Sequence, residues 1–181
     1  MKIDFLQLYQ ALLLDLNKVL EEKLSEKETA ELCFRCCVAH WNALGDRVKK
    51  EGFGSDAEEI HFFRNTKHFF TGQIEYFIQR YHALQFLPSS AEGRREFWEG
   101  EMARVDKFFD TYRDFFSYYH SRRTDLDERY FLLRNSDGSN LAHAAVYDLD
   151  QETATSHDWL LTNMVAYEKY KRYVEGELRK G

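Results

Sequence analysis

Apolar side chains recur along this chain at steps of three and four, the spacing that places them on one side of an α-helix. Phe5, Tyr9, Leu12, Leu13, Leu16, Val19 and Leu20 predict a first amphipathic helix from Ile3 to about Lys23. Ser25 is followed three residues on by Glu28, a capping-box pattern, so a second helix starts there. Its stripe is Ala30, Phe34, Cys37, Trp41, Leu44 and Val48, and it runs to about Lys50. Gly52 to Asp56 reads as a loop by composition, with Ser55 or Asp56 as the N-cap of a third helix that ends near Pro88. That helix carries Ile60, Phe63, Lys67, Phe70, Ile74, Phe77, Tyr81 and Leu84, a seam in which Lys67 is the one charged member. Trp98, Met102, Val105, Phe108, Tyr112, Phe115 and Tyr119 predict a fourth helix to about Ser121.

Beyond that point the periodicity weakens. Asn135 to Asn140 is the most turn-like run in the chain, although Tyr130, Phe131, Leu132 and Leu133 within the same stretch need burial. Thr155 or Ser156 then caps a last helix from His157 to about Arg179, with Leu160, Met164, Tyr167, Tyr170 or Lys171, and Val174 on one side. The expected fold is all-α in a single domain. It comprises an antiparallel four-helix bundle over residues 1–123, an irregular excursion over 124–154 and a fifth, C-terminal helix over 155–181. No internal repeat or low-complexity segment interrupts it.

Composition sharpens this picture. One Pro and nine Gly in 181 residues favour long helices over many short strands and turns. Fifteen Phe, eleven Tyr and three Trp are too many for a disordered chain. No apolar run exceeds the four residues of Ala11 to Leu14, far short of the roughly 20 residues a membrane-spanning helix needs. The three Cys sit at one locus, an odd set that fits a reducing compartment better than a disulfide scaffold. A cytoplasmic location is expected. The net charge is -6, opposite in sign to the basic face that neutralises nucleic-acid phosphates. Arg94 with Arg95 and Arg122 with Arg123 read as solvated surface pairs, while Lys169, Lys171 and Arg172 make the last helix the better nucleic-acid candidate.

Several groupings carry the residue types of known chemistry. Cys33, Cys36, Cys37 and His40 share one helix face, but a straight helix can direct only about two ligands at one ion, so core packing is expected of the cysteines. Glu58 and His61 form a single E-x-x-H pair, where a di-iron bundle needs two pairs and further carboxylates; a helix-start Glu favoured by the macrodipole accounts for it. Ser156, His157 and Asp158 are consecutive and cannot relay a proton, so they read as capping residues. Asp125, Asp127 and Glu128 read as N-terminal helix charge and not a cation site. No phosphate loop or nucleophile elbow is present. Lys67 falls level with residues 110–114 in an antiparallel helix pair, where Asp110, Tyr112 and Asp114 occur. It is expected to snorkel or to pair with a carboxylate, with a small anionic ligand between the helices as the functional alternative. No catalytic residue, cofactor or metal is expected.

The order of four segments resembles the RteC family, regulators of excision of Bacteroides-type conjugative elements carrying tetracycline resistance. These are EEIHFFRNTKHFF from Glu58, IEYFIQRYHALQFLP from Ile74, FFDTYRDFFSYYHSRRTDLDERYFLLR from Phe108 and TATSHDWL from Thr153, spanning about Asp56 to Leu178. The chain departs from the family pattern at Lys67, which is followed by His68 where Pro is usual. The resemblance implies a helical regulatory domain followed by a winged-helix or helix-turn-helix part that binds DNA. That part would begin about where this sequence stops, at Gly181. It also implies a fixed packing role for His157. The expected function is therefore a non-catalytic regulatory or interaction domain in control of mobile-element excision. The alternative is a stand-alone helical adaptor that binds a protein partner or dimerises through exposed aromatics.

Overall fold

The computed structural model describes residues 3–113 and 151–180, with the side chains of the last helix described from residue 162 onward and that of Arg64 left aside. Every described element is a helix. They are α1 (Phe5–Glu21), α2 (Glu26–Glu51), α3 (Asp56–His61), a π-turn (Phe62–Thr66), α4 (Lys67–Phe86), α5 (residues 91–113) and α6 (Gln151–Lys180). Among the described residues, no helix is long and apolar enough to cross a membrane.

The starts are set by local chemistry. Asp4 accepts from the backbone N–H of Gln7 to open α1. Ser25 and Glu28 form the full reciprocal capping box of α2, and Ser55 caps α3 by accepting from the N–H of Glu58. α2 closes on Gly52, whose φ of 66° lies in the left-handed region open to glycine. The chain leaves α4 through Leu87 and Pro88, and Arg94 in α5 reaches back to donate to the Pro88 carbonyl at 2.9 Å.

By its internal contacts the chain divides into a first unit, residues 1–103 with 162–181, and a second, residues 104–161. The core of the first unit gathers Leu12 and Leu16 of α1, Cys33, Cys37 and Leu44 of α2, Phe62 of the π-turn, and Phe70 and Phe77 of α4. Burying each of the larger side chains stabilises the fold by about 1.5–3 kcal/mol. Residue pairings run in opposite order between α1 and α2, where Asp15 meets His40 and Lys18 lies toward Cys36. They also run in opposite order between α2 and α4, where Trp41 meets Phe62 and Phe70 while Cys33 lies toward Arg80. α6 pairs with α4 in the same order, Thr162 with Thr71 and Tyr173 with Arg80. In the second unit, Val105 and Phe108 are buried, and Phe108 packs its ring on Phe109 and Tyr112.

The third helix departs from its predicted stripe. The N–H of Lys67 bonds to the carbonyl of Phe62, five residues back, which inserts one extra residue into the spiral. In an uninterrupted α-helix Phe62 and Phe70 would point about 80° apart, from eight steps of about 100°. Here both rings lie 5.9 Å from Trp41, on one side. Phe62 is therefore in the core at 7% exposure, and Phe63, expected there, is outside at 38%. Tyr9 holds the turn from α1: its hydroxyl shares a 2.8 Å hydrogen bond with the fully buried Thr66.

Two further expectations are corrected. Leu13 and Leu20 face outward on α1, because its inward face is set by Phe5, Tyr9, Leu12, Leu16 and Val19. Residues 151–154, expected to be irregular, are helical. Thr155 and Ser156 lie inside α6, and His157 does not begin it, since no Gly or Pro in QETATSHD stops the helix from extending through them. The predicted end of the fourth helix and residues 124–150 of the excursion lie outside the described residues.

Candidate functional site

Where α6 lies on α4, the sequence supplies a glycine in mid-helix. A glycine there costs about 1 kcal/mol relative to alanine, so its use needs a packing reason. A Cβ on Gly72 would stand 2.6 Å from Val165 Cγ1 and 2.7 Å from Val165 Cβ, so only glycine admits this approach of the two helices. Polar groups flank the contact. Thr71 Oγ1 shares a 3.0 Å hydrogen bond with Thr162 Oγ1, and Lys169 Nζ donates to Gln73 Oε1 at 2.5 Å while lying 5.6 Å from the centre of the Tyr76 ring.

One turn further on, the Arg80 guanidinium stacks 4.4 Å over the Tyr173 ring, with the Tyr76 phenol close enough to act on its charge. Tyr170, fully buried, donates to Glu101 Oε2 at 2.5 Å, and Tyr173 meets Trp98 edge to face at 5.6 Å. The seam thus places two cations among phenol rings and an amide. Burial lowers the Lys169 pKa from the ordinary lysine value and raises those of Tyr76 and Tyr173. Apart from the Arg80 Nε, which is buried without a hydrogen-bond partner among the described residues, its polar groups are engaged across or beside the contact, which makes it a docking joint that fixes the register of α6.

The residues singled out in the sequence fall in different places. Lys67 is half-buried immediately after the π-turn in the first unit. Asp110 and Tyr112 belong to the second unit, where the Asp110 carboxylate is taken by Arg113, and Asp114 lies outside the described residues. The backbone of His157 is in α6 and its side chain is not described. Of the basic group in α6, Lys169 turns inward to Gln73, Lys171 is half-buried and Arg172 is exposed. Arg94 and Arg95 are exposed, the latter paired with Glu99 at 3.0 Å, and Arg122 and Arg123 with Asp125, Asp127 and Glu128 lie outside the described residues.

Glu58 and His61 serve separate partners. The backbone N–H groups of Ile3 and Gly54 donate to the buried Glu58 carboxylate, holding its pKa below the ordinary glutamate value, while His61 packs its ring on Phe5 at 4.4 Å. Cys33 and Cys37 are core residues whose thiols burial pushes up to about 11 and about 12. Cys36 is different. It faces α1, where Cys36, His40 and Asp15 bring a sulfur, a ring nitrogen and a carboxylate oxygen within 4.8 Å of one another. Sequence reasoning considered only α2 and missed Asp15, which no local spacing connects to Cys36. It also passed over Gly72, which the sequence does not set apart from Gly45, Gly100 and Gly176, mid-helix glycines with open space around them.

Residues 61–181 match the family described as RteC protein. No curated protein and no solved structure matches the chain. The matched residues contain both helices of the seam, whereas α1 and α2 precede them.

Proposed function

The chain belongs to the RteC family, and from that premise we propose that it is the helical regulatory domain of a cytoplasmic transcriptional regulator controlling excision of a conjugative element of the tetracycline-resistance type. Its role is non-catalytic. The family match carries this reading, and the α4/α6 seam supports it: Thr71, Gln73, Lys169 and Tyr170 are engaged in fixing helix register and not in forming a reactive pocket. The opposed pairings of α1 with α2 and of α2 with α4 support an antiparallel bundle as its architecture. The net charge of -6 and the inward turn of Lys169 favour action through a protein contact over phosphate binding by these residues.

The deciding experiment removes the gene and measures excision of the neighbouring element by amplification across the rejoined ends. Excision should fall at least tenfold, by the order expected from losing a required regulator, and return when the intact chain is supplied; unchanged excision would refute the reading. A gel shift on inverted-repeat DNA at low salt should show no salt-sensitive complex with these residues, and a complex lost on raising the salt would assign them a direct DNA contact.

A second reading, a module that dimerises, is favoured by α1. Leu6, Leu13 and Leu20 are spaced by seven residues and are 65%, 49% and 56% exposed, a stripe of the period that pairs helices. Sedimentation of the wild type and of Leu13→Glu tests it: a dimer that dissociates on substitution supports the reading, and a wild-type monomer at all concentrations removes it.

A further inference from the structure

We propose that Asp15 of α1 with Cys36 and His40 of α2 forms a binding site for a divalent transition ion of the zinc type, which staples the first helix to the second. The inference is independent of the family reading, because all three residues precede the matched region.

The geometry removes the objection that a single helix cannot surround an ion. Cys36 and His40 are four residues apart, so both project from the same side of α2, one turn from each other. Asp15 approaches from a different helix, and its Oδ2 lies 3.0 Å from His40 Nε2. The three ligand atoms all lie within 4.8 Å of one another. Ligand bonds of about 2.0–2.3 Å in a tetrahedron leave ligand atoms between about 3 and 4 Å apart, so small side-chain rotations are sufficient to close the site.

The donor set selects the ion. Thiolate, imidazole and one carboxylate suit zinc, whereas calcium and magnesium take all-oxygen shells. Three protein ligands leave a fourth position for water. All three residues are half-buried, which lets an ion enter from solvent, while Cys33 and Cys37 on the core side of α2 are closed to it. Lys18 donates to the other oxygen, Asp15 Oδ1, at 2.7 Å, and so holds the carboxylate toward α2. When the ion binds, the Asp15–His40 hydrogen bond is exchanged for two bonds to the metal. The proton that His40 Nε2 donates to Asp15 is exchanged through solvent to Nδ1 so that Nε2 can take the ion, and the Cys36 thiol proton passes to solvent as the sulfur–metal bond forms.

The test uses the full chain stripped of metal and titrated with zinc alone, then with cobalt as a spectroscopic stand-in. The wild type should take up one equivalent and show a thiolate-to-cobalt charge-transfer band. Cys36→Ser should abolish that band, and Asp15→Asn or His40→Gln should weaken zinc binding by more than about tenfold, the lower end of what even outer-shell changes cost. Zinc should also shield Cys36 of the wild type from alkylation, read by mass spectrometry of the Cys36 peptide, so the outcome does not depend on the variants folding. No stoichiometric uptake, or uptake with Cys36 alkylated as fast as in the metal-free chain, would overturn the assignment.

Discussion

The α4/α6 seam and the α1/α2 edge both place polar side chains between helices, and they do so to opposite effect. At the seam, Lys169 is bound to Gln73, Tyr170 to Glu101 and Arg80 to the face of Tyr173, around a contact so close that position 72 has no side chain. At the edge, Asp15, Cys36 and His40 stay half-buried beside the exposed leucines of α1. Buried polar groups must be paired, and once paired they specify one register; half-exposed groups keep water as an alternative partner and can exchange it for a ligand. The seam is therefore the rigid part of this comparison and the edge the responsive part.

Substitutions should separate the two. Tyr170→Ala removes a fully buried ring and its bond to Glu101, and is expected to cost about 3–5 kcal/mol, measured by urea unfolding. Gly72→Ala should follow at about 1–3 kcal/mol, since the added methyl meets Val165 and helix propensity alone would have made the change favourable. If Gly72→Ala instead stabilises the chain, the seam is not the rigid contact described.

Acid tests a third contact, between α3 and the start of α1. Glu58 fastens the start of α1 through the Ile3 N–H, and its folded-state pKa is lowered. The unfolded chain therefore takes up the proton first as pH falls, so this contribution is complete above the ordinary glutamate value of about 4.3 and disappears below the folded-state value. The melting temperature should fall through that acidic window in the wild type, with a shallower fall in Glu58→Gln. Leu13→Ala, at an exposed position, should change stability by less than about 0.5 kcal/mol, and a larger loss would show that α1 is covered in solution.

What could be read in advance follows the range of the forces involved. The Ser25–Glu28 box, the Ser55 cap and the α2 stripe around Cys33, Cys37 and Leu44 are fixed by neighbours within one turn, so spacing alone reveals them. Phe62 and Phe63 were exchanged because the phase of the third helix depends on a turn that Tyr9, over fifty residues away, helps to hold. Leu13 and Leu20 were assigned inward because periodicity cannot tell which side of a leucine-rich helix finds a partner. The edge trio was half legible: Cys36 and His40 stood out, but Asp15 joins them only through the α1–α2 packing. The family resemblance was readable from segment order, and the match over residues 61–181 bears it out.

The five-residue step of the hydrogen bond from the Lys67 N–H back to the Phe62 carbonyl makes this rod sensitive to length in a way it is not sensitive to composition. A side-chain replacement there alters one contact, but excising a single amino acid would restore an even winding and swing the whole upstream segment by roughly a quarter of a circle relative to everything after it. Phe62 would then leave Trp41, and Glu58 would lose its grip on the chain's beginning.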